Sequence, residues 1–393
     1  MDQRKKNISR LKTISQNSIS QILGVFSVLI LSLVIVKFHS VELWGEYAEL
    51  LIWSNFILLF LGFGHYDKLL RSFSDSPSTI EQQWVNNFLA RSVLLIPSFV
   101  FIYFIPLFNG FEYLIILYVL VQFLSHSFKV FIMYHRKFVF NIWVETMFNV
   151  GLIVSVLYFL RQMDLELMLT IMIIAYSVKA MCYGVFFIRD FKGITFQFQL
   201  NHLKYSIPFF IPIAVGTIRV KIDAYYGTHF FSVSDLSKYQ IFISFLVLAQ
   251  MMSSFALSPY IKNFYRAKDN MIIDLQRRFF KFGWIYAAFM GLMMFIAISM
   301  IYQLTFTFYQ YLLGTLFMIP LFLHILLISE YYKKNLQSKI AMFAFIIVVV
   351  QIISGYFLIS YWSIDGALIL KVLGQWGIVI ILWLWIRKRR IHE

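Results

Sequence analysis

Charged residues are scarce in this chain, at 13% of its 393 positions, and acidic ones scarcer still: 19 Asp and Glu stand against 34 Lys and Arg. A soluble domain carries about 25% charged residues, so a water-exposed exterior along the whole chain is excluded. Cysteine is nearly absent. The single Cys182 lies inside an apolar run, so no intrachain disulfide forms and the redox compartment cannot be read from cysteines. Catalytic patterns are missing as well: there is no His-x-x-His or Cys-x-x-Cys pair with metal spacing, no Gly-x-x-x-x-Gly-Lys phosphate loop and no Gly-x-Ser-x-Gly elbow. No metal or cofactor is expected, and the sequence is not expected to encode an enzyme.

What the chain has in abundance is apolar surface. Hydrophobic residues make up 60% and aromatic ones 19%, with a mean hydropathy of +0.76. Apolar runs of about 20 residues, each enough to cross ~30 Å of hydrocarbon, recur from Ile19 to Ile386. Twelve spans are predicted, at 16–37, 46–63, 84–107, 112–133, 139–160, 167–188, 205–226, 239–260, 280–301, 309–329, 340–360 and 366–386. The fold class is therefore an all-α integral membrane protein of about twelve helices. The connecting loops are short, which excludes a sizeable extramembrane domain, including the nucleotide-binding domain of an ATP-driven pump.

A net charge of +15 raises the question of nucleic acid, but the placement of the charges answers it. Arg4, Lys5, Lys6, Arg10 and Lys12 precede a first span too long for a signal peptide and lacking a small-residue cleavage site. With that end in the cytoplasm, 25 Lys and Arg fall on inner segments and 3 on outer loops. This positive-inside bias places both termini in the cytoplasm. The tail Arg387-Lys388-Arg389-Arg390 reads as a topology anchor and headgroup contact rather than a nucleic-acid arm. The stretch from Arg189 to Lys204 separates six spans from six, giving bundles 1–200 and 201–393. No sequence repeat links the halves.

Ionisable residues inside hydrocarbon are costly and so informative. In the seventh span, Pro208, Pro212, Gly216, Arg219 and Asp223 recur at helical spacing on one face. The prolines are expected to bend the helix where it lines a cavity. Arg219 then either meets an anionic substrate or pairs with Asp223 one turn on. Lys221, about 200° round the helix, is expected to snorkel outward. Asn141, Glu145 and Asn149 stripe the fifth span, while Gln122, Ser125, His126 and Lys129 stripe the fourth. Asn17, Ser20, Gln21, Gly24 and Ser27 mark the first, and Gln250, Ser254 and Ser258 the eighth; such stripes of small and polar residues read first as packing seams. Lys179, between Tyr176 and Tyr183, sits near mid-bilayer and favours a cavity role. Arg91 and Lys129 lie near the cytoplasmic surface, where snorkelling explains them, and Lys371 lies near the outer surface. Glu49, Glu145 and Asp223 are candidates for ion coupling, or for pairing with a neighbouring span's cation. His324, alone in the tenth span, reads as a packed histidine.

Two groups of residues carry a resemblance. The first is Leu43-Trp44-Gly45-Glu46-Tyr47-Ala48, followed by Gly62-Phe63-Gly64 and Arg71. The second is Tyr205-Ser206-Ile207-Pro208, leading to Ile222-Asp223-Ala224-Tyr225-Tyr226-Gly227 and Lys238-Tyr239. Over most of its length the chain resembles the polysaccharide flippases of the multidrug/oligosaccharidyl-lipid/polysaccharide exporter superfamily, which flip O-antigen or capsule repeat units. The resemblance implies two six-helix bundles rocking about a central cavity in the inner membrane. It also implies a polyprenyl-pyrophosphate-linked oligosaccharide as substrate, and contact with polysaccharide assembly proteins. A basic residue often follows the family's aspartate; here Ala224 stands there, leaving Arg219 or Lys221 to replace it.

A cationic wall of Arg219, Lys179, Lys221, Lys371, Arg91 and Lys129 suits a pyrophosphate, and rings such as Trp53 and Tyr183 suit sugars. The polyprenyl tail stays among the membrane lipids. Moving one negative charge outward across an inside-negative membrane releases ~2.3 kcal/mol per 100 mV, while H⁺ or Na⁺ antiport stays open. The rivals are a cation-coupled multidrug exporter of the same superfamily, which would show an acid-rich cavity, and a membrane-embedded polysaccharide polymerase or acyltransferase. The longest outer loop, Gly227 to Lys238, is short for the polymerase.

Overall fold

The computed structural model describes residues 22–191, 194, 198–266 and 268–392. The N-terminal basic residues and Asn17, Ser20 and Gln21 lie outside the described residues, as do the side chains of Ser258 and Arg390. Among the described residues the chain is helical, with no strand. Apolar side chains occur all round most helices rather than on one stripe, which is the pattern of helices immersed in lipid. Large exposed hydrophobics such as Met147, Tyr158, Phe308 and Phe345 form the surface that hydrocarbon covers.

Helix α1 is Ile22–Phe38. Ser40 caps α2, Val41–Gly62, by accepting from the Leu43 amide at 2.9 Å. There follow α3 (His65–Asp75), α4 (Ile80–Ser92), α5 (Leu95–Tyr103), α6 (Glu112–Ser127), α7 (Lys129–Tyr134) and α8 (Phe138–Phe159). Asp164 caps α9, Leu165–Phe187, through the Leu167 amide. Next come α10 (Asn201–Phe230), α11 (Val233–Arg266), α12 (Asp269–Ile296), α13 (Phe308–Met318), α14 (Leu321–Lys333) and α15 (Gln337–His392). Thr307 and Gln310 form a reciprocal capping box at the start of α13.

Nine helical segments among the described residues are long and apolar enough to cross a membrane. One of them holds two spans: within α15, Ser363 leaves helical geometry at φ 47°, ψ −125°. There a Cβ on Gly366 would overlap the Leu358 carbonyl oxygen, so only glycine lets the two arms approach. With α1 and the polar, proline-bearing α10, these segments account for the twelve expected spans. The protein is thus an all-α membrane protein of about twelve spans, six in each half.

The chain divides into two compact units, one Ser15–Ala214 and the other built on Val215–Glu393. The sequence sets the division at residue 200, whereas the packing sets it inside α10, between Pro212 and Gly216. In the N-terminal unit the core gathers Phe73, Trp84, Phe131, Tyr183 and Phe187, and the Trp84 indole donates to the Ser127 carbonyl at 2.8 Å. In the C-terminal unit Tyr331, Ile347 and Leu382 form one core and Ile272, Phe322 and Leu326 another.

The turn from α2 to α3 controls what α10 meets. Phe63 and Gly64 both take positive φ, 42° and 69°. A Cβ on Gly64 would stand 2.6 Å from the Phe210 backbone nitrogen, so glycine admits the close approach that also stacks Phe63 on Phe210 at 4.5 Å. This approach brings the first turn of α10 to α3. Lys68 Nζ there donates to His202 Nδ1 at 3.0 Å and to the His202 carbonyl at 3.3 Å. Burial, then the Lys68 charge, holds the His202 imidazole below its ordinary pKa, so it stays a neutral acceptor.

Candidate functional site

The seventh span is α10, which runs as one helix from Asn201 to Phe230 with Pro208 and Pro212 inside it. The expected alternative of an Arg219–Asp223 pair is corrected. Asp223 is 2% exposed, and its carboxylate is taken by two other helices. Lys371 of α15 reaches Oδ1 at 3.0 Å, and the Tyr239 hydroxyl of α11 donates to Oδ2. The Lys371 ammonium donates in addition to the Val220 carbonyl. Two buried opposite charges in apolar surroundings find each other because each alone would carry a desolvation cost of several kcal/mol. Lys371 is therefore a buried counterion.

Among the described residues Arg219 is left with one weak partner, the Gly374 carbonyl at 3.5 Å. It lines a small recess with Gln250, Gln351, Lys371 and Gln375. Gln375 also contacts His324 Nδ1 at 3.2 Å, so that histidine is packed and hydrogen-bonded, as its isolation in the sequence indicates. Lys221 is half-buried, within electrostatic reach of Lys371 and Asp223, rather than free in the lipid. Space is open at Gly216, where a Cβ would meet nothing within 4 Å.

The N-terminal unit holds a second buried pair. Lys179 Nζ of α9 lies 2.7 Å from Glu145 Oε2 of α8, the two side chains being 5% and 13% exposed. The ammonium sits over the rings of Phe148 and Tyr176, 4.6 Å and 5.6 Å from their centroids, a placement favoured by the ring quadrupole. Tyr183 donates to Asn141 Oδ1 at 2.7 Å and lies 3.5 Å from Glu145 Oε1. The Asn141–Glu145–Asn149 stripe thus divides: its first two members serve the ion pair, and Asn149 turns to a cavity. Lys129 is exposed but within electrostatic reach of Lys179 and Glu145.

Arg91 departs from its expected snorkelling position. It is 1% exposed. Its guanidinium donates to Asn87 Oδ1 at 3.0 Å, the Leu61 carbonyl at 3.3 Å and Ser127 Oγ at 3.0 Å, and it lies over the Phe123 ring. These bonds tie α2, α4 and α6 together; the residue is a strut. Trp53 is half-buried, edge-on to Phe56 at 6.3 Å. Glu49 is half-buried beside Glu46, with no cation at ion-pair distance among the described residues.

Three features had no sequence signal. One is the recess of about 430 Å³ lined by Lys68, Arg71, Ser72, Gln83, His202 and Tyr205. Another is a groove of about 330 Å³ between α8 and α9, where Met147, Gly151, Ile174 and Val178 flank Lys179 and Cys182. The third is Glu330, fully buried, which accepts from Gln276 at 2.8 Å and faces Lys334 at 3.7 Å.

Similarity to solved structures adds to this geometry. Over 96% of its length the chain superposes on 87% of the lipid II flippase MurJ, in an inward closed conformation, with a TM-score of 0.72 and 16% identity. A mutant form of the Vibrio cholerae MATE transporter VcmN matches over 99% of both chains with a TM-score of 0.59 and 12% identity. An outward-facing multidrug resistance MATE family transporter of the MOP superfamily matches over 96% of this chain and 95% of that one, at 0.58 and 14%. The chain has the fold of these transporters. No protein-family model and no curated protein sequence matches it.

Proposed function

We propose that the protein is a flippase that carries a polyprenyl-pyrophosphate-linked oligosaccharide repeat unit, of O-antigen or capsule type, from the cytoplasmic to the outer leaflet of the inner membrane by alternating access. Both termini lie in the cytoplasm, in keeping with the basic inner segments. One observation carries the reading. The buried carboxylates of the described spans are already matched, Glu145 by Lys179, Asp223 by Lys371 and Glu330 by Lys334 and Gln276. Arg219, Lys221 and Lys129 have no carboxylate at ion-pair distance among the described residues. The surplus inside the membrane is positive, and a diphosphate is the anion that forked and pointed cations bind well. The recess of Lys68, Arg71 and His202 supplies further cationic surface on the basic, cytoplasmic side. The fold shared with a lipid II flippase supports a lipid-linked glycan.

A cation-coupled multidrug exporter is the second reading, favoured by the shared fold of a multidrug resistance MATE transporter. It needs an acid free to bind a cation, and among the described residues Glu49 is a candidate, with no cation at ion-pair distance. The membrane potential suffices as a drive for the anionic headgroup; H⁺ or Na⁺ coupling would act through Glu49, Glu145 or Asp223.

The test is depletion of the protein in its host with leaflet-specific analysis of lipid-linked repeat units. Accumulation on the cytoplasmic leaflet is expected, and an unchanged distribution refutes the reading. Arg219→Ala is expected to lower flipping while Arg389→Ala does not; equal effects would remove Arg219 from the site.

A further inference from the structure

One cavity has none of the paired charges in its lining. Inside the N-terminal unit, α1, α2, α6, α8 and α9 enclose a space of about 200 Å³. Its walls carry five aromatic rings, Trp44, Tyr47, Tyr118, Phe148 and Tyr176. Between them stand hydroxyls and amides of Ser27, Ser54, Asn55, Gln122 and Asn149. No Asp, Glu, Lys, Arg or His lines it among the described residues. Nothing in this lining pairs with a phosphate.

Four of the lining groups are buried polar atoms with no hydrogen-bond partner among the described residues: Trp44 Nε1, Ser54 Oγ, the Tyr118 hydroxyl and Asn149 Nδ2. Their residues are 2%, 1%, 0% and 8% exposed. An unsatisfied buried donor is costly, so four around one space call for an occupant that accepts hydrogen bonds. The space exceeds what a single water needs and falls short of the ~300–1,000 Å³ of pockets for drug-sized ligands. Apolar ring faces alternating with neutral donors and acceptors match one chemistry well, a pyranose, whose C–H faces are apolar and whose hydroxyls ring the edge. Trp44 and Tyr47 belong to the Leu43–Ala48 motif, which the ion pairs leave unused.

We propose that this cavity is a subsite for one uncharged sugar ring of the translocated headgroup, with Trp44 Nε1, Ser54 Oγ and Asn149 Nδ2 engaging its hydroxyls. The inference rests on the glycan-carrying reading above and gives it a second contact, separate from the cations that would hold the diphosphate.

Saturation-transfer NMR on the full chain in nanodiscs tests it, with methyl α-D-glucoside, methyl α-L-rhamnoside and methyl N-acetyl-β-D-glucosaminide as probes and glycerol as reference. At least one glycoside is expected to show transfer that saturates with concentration. Losing one hydrogen bond of about 1 kcal/mol lowers affinity roughly fivefold, so Asn149→Leu and Trp44→Phe should each weaken it by about that factor. Asn149→Leu removes an unpartnered donor, so its thermal midpoint should be no lower than that of the parent, which confirms that it folds. Transfer no greater than glycerol's, or equal in parent and Asn149→Leu, would mean that the cavity holds water only and overturn the proposal. If glycosides fail to bind while lipid-linked glycans still flip, and Asn149→Leu flips normally, the subsite alone is lost. If nothing flips in the parent, the functional reading itself fails.

Discussion

Replacing Lys179 by Met leaves Glu145 as an unmatched carboxylate in a site where the pair is 5% and 13% exposed. At a separation of 2.7 Å and an effective dielectric constant of about 20, the gross attraction is about 6 kcal/mol. Most of it offsets the desolvation of the two ions, so the measurable quantity is the cost of removing one partner, about 3–5 kcal/mol. Tyr183 cannot repair the loss, since its hydroxyl already serves Asn141. The N-terminal unit spans Ser15–Ala214, and a domain of that size shifts its midpoint by about 2–4 °C per kcal/mol, so Lys179→Met should melt at least about 6 °C below the parent. Glu145→Leu should cost a similar amount by stranding the ammonium. The double substitution Lys179→Met/Glu145→Leu should recover most of the loss, because an apolar pair of similar volume is about neutral in place of a buried ion pair. The assay is thermal unfolding in nanodiscs, arranged as a double-mutant cycle. Additive losses in the double variant, or a Lys179→Met midpoint within ~2 °C of the parent, would refute a tightly coupled pair.

Other outcomes follow from single sites. Arg91→Lys keeps the charge but loses the fork that serves Asn87, Leu61 and Ser127, so a loss of about 2–3 kcal/mol is expected by thermal unfolding; an unchanged midpoint would remove its role as a strut. Gly64→Ala combines a φ of 69° with a Cβ 2.6 Å from Phe210 N and should destabilise by more than ~1 kcal/mol, read as a lower folded yield and midpoint. For His202, whose folded pKa lies below its ordinary 6.5, the unfolded chain binds the proton first as pH falls. The stability it lends is therefore complete above about pH 6.5 and declines below it, down to the folded-state value. His202→Leu should flatten that part of the stability–pH curve, and an unaltered slope would count against the Lys68–His202 bond.

The spans were legible because a membrane demands length and apolarity, and both are written locally. The choice of charge partners was not. Spacing along one helix offered Arg219 to Asp223, yet the structure gives Asp223 to Lys371 and Tyr239, since helix packing brings in residues that lie far along the chain. Glu145 was open in the sequence between proton carriage and pairing, and Lys179 of the next helix takes it. Arg91 looked peripheral by its position in the chain, but acceptors from two neighbouring helices and its own satisfy the guanidinium inside the protein. The Trp44–Tyr47 motif stood out as a pattern without disclosing that its indole faces a hollow, because side-chain direction depends on five helices at once.

Cys182 is exposed on the wall of the α8–α9 groove, and it is the chain's sole thiol. A small, membrane-permeable thiol probe, or labelling before reconstitution into lipid, therefore addresses one defined point of the native sequence, beside the Lys179–Glu145 pair. Any second probe introduced elsewhere forms a distance ruler without a cysteine-free background having to be made first.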